Sequence, residues 1–115
     1  MFRFYSLFIF LVILPLSCFS QNDNAKALEF YTIGMENYNA TNYEMAIADF
    51  TKAIEANGNF VEAYFQRGCA KHYSDKYSSA IEDFTIAIDL RPSSEVFYKQ
   101  RGSSKTMLKD YKGAI

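Results

Sequence analysis

Few side chains in this sequence could do chemistry, and their spacing argues against most of it. His72 is the only histidine, and no set of Cys or carboxylate residues accompanies it at the spacing a metal site needs. A partly exposed helix position is expected for it. Glu82, Asp83 and Asp89 lie close together in sequence, but acid–base catalysis would need burial to shift their pKa values. A solvated outer helix face is expected for all three. No Gly-rich phosphate loop, nucleophile elbow or paired-Cys motif occurs. Asn39-Ala40-Thr41 matches the glycosylation sequon, a three-residue pattern that arises often by chance. The expectation is a protein that does not catalyse, with no cofactor and no metal.

The chain has 115 residues, 50% of them apolar and 22% charged. That balance fits one small folded domain and excludes global disorder. Arg3 is the only charge among the first twenty residues, so the remainder carries eleven basic and thirteen acidic side chains, a net charge of −2. Nucleic-acid binding calls for a clustered basic face, and no nucleic-acid partner is expected.

Met1-Phe2-Arg3 sets a positive charge before the apolar run Phe4–Leu16, and Ser17-Cys18-Phe19-Ser20 leads into the polar Gln21-Asn22-Asp23-Asn24. These are the parts of a secretory signal peptide over residues 1–20, cut after Ser20. A membrane span needs roughly 20 apolar residues, more than this run supplies, so cleavage is expected rather than an anchor. Cys18 after Ser17 partly resembles the lipid-attachment site of bacterial lipoproteins, although Pro15 stands where that family usually has Leu. The chain is thus expected to be exported in a bacterium, to the periplasm, the envelope or the medium. Membrane attachment is expected only if the signal is retained or Cys18 is lipidated. Cleavage leaves Cys69 alone, without a partner for an internal disulfide, and a lone helix cysteine reads as a small buried hydrophobe.

The rest of the sequence repeats itself. Gly34, Gly68 and Gly102 recur at a constant interval, and Tyr43/Tyr77/Tyr111, Ala46/Ala80/Ala114 and Ile47/Ile81/Ile115 keep the same period. An aromatic precedes each glycine by four: Phe30, Tyr64, Tyr98. Asp49/Asp83, Phe50/Phe84, Thr51/Thr85, Ala53/Ala87 and Ile54/Ile88 repeat as well, without a gap. Within a unit, Tyr64, Arg67, Gly68 and Lys71 share one helix face, and Tyr77, Ala80, Ile81, Phe84, Ala87 and Ile88 form a longer apolar stripe. Turn residues punctuate the units at Thr41-Asn42 and Ser74-Asp75, and separate them at Asn57-Gly58-Asn59 and Arg91-Pro92-Ser93. Each unit therefore reads as a helical hairpin that needs its neighbour to cover its stripe.

The period, the aromatic-x-x-x-Gly of Phe30–Gly34, Tyr64–Gly68 and Tyr98–Gly102, and the Ala-x-x-x-Phe of Ala46–Phe50 and Ala80–Phe84 resemble the tetratricopeptide repeat. Pro92 stands where that family closes its second helix. Arg67 and Arg101 replace a usual Leu, Asn37, Lys71 and Lys105 a common Tyr, and Gly58 a proline. The resemblance implies an all-α solenoid of helical hairpins wound as a right-handed superhelix. Its divisions are a polar linker at 21–26, a first repeat at 27–60, a second at 61–94 and a partial third at 95–115. The third unit holds a first helix and a turn, and a fragment of a longer protein is expected.

What the family does is bind. The resemblance implies a concave surface lined by the first helix of each unit, holding a partner segment. Carried over residue by residue, that surface comprises Tyr31, Thr32 and Met35, then Phe65, Gln66 and Cys69, then Lys99, Gln100 and Ser103. Aromatic, Met and amide side chains suit an extended or helical apolar peptide. Phe65 is expected in this groove, with its neighbour Tyr64 packed between helices. Relatives that clamp the C-terminal carboxylate of heat-shock chaperones use Lys, Asn and Arg, where this chain has Tyr31, Met35, Gln66, Val96 and Gln100, so that activity is not expected. The expected function is an exported protein-interaction scaffold whose partner is a protein or peptide. The alternatives are the targeting segment of a larger exported enzyme and a lipid-anchored component of an envelope assembly.

Overall fold

The computed structural model describes residues 22–113, so the signal segment at 1–20, Cys18, Ala114 and Ile115 lie outside the described residues. Five helices and no strand occur among those described: α1 over 22–39, α2 (Tyr43–Ala56), α3 (Val61–Tyr73), α4 (Tyr77–Leu90) and α5 (Glu95–Gly113). The breaks fall at the expected turns. Residues 22–26, expected as a linker, instead form the described start of α1.

The turn inside each hairpin is the same structure twice. Thr41 and Asp75 both adopt φ 62°, in the left-handed region. Beyond them, Asn42 N–H donates to the Asn37 carbonyl and Lys76 N–H to the Lys71 carbonyl, each at 2.8 Å. That pattern ties off the last carbonyls of α1 and α3, which have no partner inside their helices. In the third unit the equivalent residue is Lys109, and it lies inside α5, which runs through to Gly113 without a break. The turn expected there does not form. Among the described residues no second helix packs against this end of α5, and continued i→i−4 bonding is the local way to satisfy the backbone.

Small residues decide how closely the helices approach. A Cβ built on Gly68 would lie 2.7 Å from Cε1 of Phe84, and one on Gly34 would lie 2.6 Å from Cε1 of Phe50. Both rings are fully buried. Ala46 packs in the same cluster as Phe50, and Ala80 beside Phe84 with Cys69. Gly102 differs, since a Cβ there meets nothing within 4 Å. Gly68→Leu should therefore lower stability by about 1–3 kcal/mol through overpacking. Gly102→Ala should raise it by roughly 0.5–1 kcal/mol, the ordinary helix preference. Thermal melts of the two variants test the opposite signs.

Candidate functional site

The helices α1 and α3, which open the two hairpins, and α5 carry the expected binding face at matching positions. Tyr31, Phe65 and Lys99 occupy one place in successive units, as do Thr32, Gln66 and Gln100, and Met35, Cys69 and Ser103. Their environments are not alike. Thr32, Lys99 and Ser103 are exposed, and Gln66 and Gln100 are half-buried. The Thr32 hydroxyl donates to the Leu28 carbonyl of its own helix at 2.9 Å, leaving an oxygen that can accept.

The larger side chains of this face are engaged within the fold. Tyr31 lies 4.9 Å from the Phe60 ring and 5.7 Å from that of Phe50, between centroids. Burial, with the nearby Glu62 carboxylate adding to it, raises its phenol pKa. Met35 packs on the Phe50 cluster. Phe65 sits between Phe84 at 5.7 Å and Phe97 at 4.8 Å, joining two clusters of the core. Its ring therefore packs α3 against α4 and α5, and the division that put Phe65 in the groove and Tyr64 alone in the core does not hold. Tyr64 is half-buried too, with its hydroxyl donating to the Gly58 carbonyl at 3.1 Å and Arg67 over its ring.

Cys69 is 6% exposed, and burial pushes its thiol up to about 12. Such a thiol stays protonated and unreactive at neutral pH. Its burial beside Ala80 and Phe84 removes it from the surface a partner could touch, because the α3–α4 approach closes over this position.

Two clusters go beyond what the sequence predicts. The first is aromatic and gathers at the hairpin turns. Tyr43 and Tyr73 stack at 5.6 Å, Tyr38 meets both edge-on, and His72 lies edge-on to Tyr73 and Tyr77. Tyr73 is 56% exposed. His72 also hydrogen-bonds through Nδ1 to the buried Ser104 hydroxyl at 2.8 Å, which ties α3 to α5. The pairing of Tyr38 with Tyr43 and of His72 with Tyr77 is one repeated contact, and the equivalence of Tyr38 and His72 in the repeat is the available signal.

The second cluster is charged. Asp83, expected on the solvated face of α4, is only 2% exposed. Arg67 grips it with Nε at 2.9 Å and Nη2 at 2.7 Å, and Lys71 adds Nζ at 2.9 Å. Arg67 also donates to Thr51 of α2 at 3.2 Å. Burial works against the Arg67 charge, but the hydrogen bonds and charge of Asp83 outweigh it, so its pKa is raised. The arginine that replaces Leu is thus accommodated by a buried counter-ion. In the first hairpin Asn37, the counterpart of Lys71, donates to Asp49 at 2.6 Å, while Ile33 stands where Arg67 does.

A pocket of about 360 Å³ lies between the α3–α4 turn and the end of α5, lined by Asp75, Tyr77, Met107, Asp110 and Tyr111. No group of three or more His, Cys, Asp or Glu able to hold a metal occurs among the described residues. None of the described helices is long and apolar enough to cross a membrane.

Comparison with known proteins agrees with that geometry. The family model described as tetratricopeptide repeat matches residues 30–60 and 61–94, more than half of the chain. No curated protein matches. Among solved structures, the chain is similar to the second TPR of Spaghetti (RPAP3) bound to HSP90 peptide SRMEEVD, with 30% identity and a TM-score of 0.75, covering 79% of this chain and 83% of that one. It is also similar to the second TPR domain of human RPAP3 in complex with HSP70 peptide SGPTIEEVD, at 28% identity and TM-score 0.68, covering 70% and 68%. The Arabidopsis OM64 TPR domain shares the fold at 23% identity and TM-score 0.74, covering 78% and 74%.

Proposed function

Because the chain belongs to the tetratricopeptide repeat family, we propose that it is an exported interaction scaffold that holds a peptide segment of a partner protein along α1, α3 and α5. The observation that carries this reading is the alignment of Thr32, Gln66 and Gln100 at one position of three successive first helices, with exposed Lys99 and Ser103 continuing the row. A row of side-chain donors and acceptors at a regular interval suits the backbone of an extended peptide. The partly exposed edges of Tyr31 and Met35 supply apolar contact beside it. Export rests on the signal-like residues 1–20.

The peptides held by the similar RPAP3 domains end in Glu-Glu-Val-Asp. Here the positions that clamp such carboxylates in relatives are Tyr31, Met35, Gln66, Val96 and Gln100, none of them cationic. An acidic C-terminal tail therefore lacks its charge partners, and a neutral or apolar segment fits better. Two measurements test the reading. Titration with the peptide SRMEEVD should show no saturable binding at micromolar concentrations. A pull-down from the envelope fraction should recover a partner with the native chain that is lost with Gln66→Glu and Thr32→Glu, while both variants keep the native melting temperature. Capture unchanged by both substitutions would remove this face as the binding surface.

A further inference from the structure

The tyrosines at the hairpin turns continue the row of Thr32 and Gln66. Tyr73 follows Gln66 by seven residues, so it lies on the same face of α3, about 10 Å further along. Asn39 stands in the same relation to Thr32, and Met107 to Gln100. All three are exposed. Tyr38 and Tyr43 complete a ledge with Tyr73 that joins α1, α2 and α3. Tyr43 stacks on Tyr73 at 5.6 Å, and Tyr38 meets the two edge-on at 5.5 and 6.3 Å. Among the described residues, the tyrosine hydroxyls that bond within the fold are those of Tyr64 and Tyr77. Those of Tyr38, Tyr43 and Tyr73 remain as donors along the ledge. The carboxylates on the adjoining segments are engaged, since Lys76 Nζ holds Glu44 at 2.8 Å and the Tyr77 hydroxyl donates to Asp75 at 2.8 Å.

We propose that the ledge of Tyr38, Tyr43 and Tyr73 seats a proline-rich stretch of the bound peptide, an inference that rests on the row of Thr32, Gln66 and Gln100 being the binding face. Three properties select proline. Tyrosine faces and edges pack well against pyrrolidine rings, and the preformed polyproline geometry leaves little chain entropy to lose. A proline stretch also carries carbonyls without N–H groups, so phenol donors alone satisfy its backbone. Burial, with Cys69 and the other two phenols adding to it, raises the Tyr38 pKa and keeps that hydroxyl a donor. Lastly, a ledge whose neighbouring charges are already paired offers no counter-ion to a charged segment.

Fluorescence polarisation of labelled decaproline, titrated with the chain, tests the proposal. Saturable binding below about 1 mM is expected, and its absence overturns the proposal. A Gly-Ser peptide of equal length and maltohexaose, a sugar able to stack on the same rings, should not compete. Equal affinity for either overturns the choice of proline. Tyr73→Ala should weaken decaproline binding by about tenfold or more, as the loss of an anchoring ring does. Tyr73→Phe keeps the ring and removes the donor, and should weaken binding by about threefold. Tyr73 is 56% exposed, so both variants should keep the native melting temperature. Unchanged affinity in both overturns the proposal. Thr32→Glu and Gln66→Glu keep this test separate from the wider reading. If they lose the native partner while decaproline fails to bind, the row stands and the ledge proposal falls. If decaproline binds through Tyr73 while both variants keep the native partner, the row falls and the ledge stands.

Discussion

Asp83→Ala should destabilise the protein by about 3–5 kcal/mol, the cost of stripping a buried ion cluster of one sign. The Asp83 side chain is 3% exposed and those of Arg67 and Lys71 are 16% and 14% exposed, so water cannot replace the lost carboxylate. Two cations would be left facing each other beside the ring of Phe84. Chemical denaturation should show the loss as a lower midpoint at unchanged slope. The cluster as a whole is another matter. Replacing Arg67 by Leu, Lys71 by Tyr and Asp83 by Leu together should be near neutral or stabilising, because well-packed apolar groups avoid the desolvation of three charges. A single Asp83→Ala that costs under about 1 kcal/mol would show that the charges are hydrated in solution.

Phe65→Ala should cost about 3 kcal/mol, at the low end for a core aromatic because the ring is half-buried. The ring links Phe84 of α4 to Phe97 of α5, so its removal loosens two helix contacts together. Tyr64→Ala should melt early as well, losing the cluster with Val61 and the bond to Gly58. Circular-dichroism melts of the two variants should thus fall together. A Phe65→Ala melt at the native temperature would place the ring in solvent and return it to the binding face. For the same reason a loss of partner capture in Phe65→Ala says nothing about binding, and the informative substitutions are at Thr32 and Gln66.

The hairpins are legible in the sequence because their cause is periodic. Glycine facing phenylalanine and alanine facing the adjoining helix are steric requirements, and they recur once per unit with the turns that the chain needs between them. Charge burial is not legible in the same way. Glu82, Asp83 and Asp89 look alike in sequence, and only the position of Arg67 and Lys71 across the hairpin makes one of them internal. The repetition of Asp49 as Asp83, alongside Arg67 as Arg101, points to it. Periodicity misleads at the third unit, where Lys109 repeats a turn position yet remains helical. A left-handed residue costs free energy, and at Thr41 and Asp75 a packed second helix offsets that cost. The binding face is half legible: spacing identifies the row, but which side chains the core consumes depends on how closely each first helix packs on the helices after it.

One guanidinium reaches back 16 residues to Thr51 and forward 16 residues to Asp83. Each added residue turns a helix by about 100°, so a single insertion or deletion on either side would swing one of these groups out of reach. Length in this chain is consequently quantised. Sequences descended from it can gain or lose whole repeat units by duplication and excision, which leave Arg67 between its threonine and its aspartate, far more readily than they can drift by one.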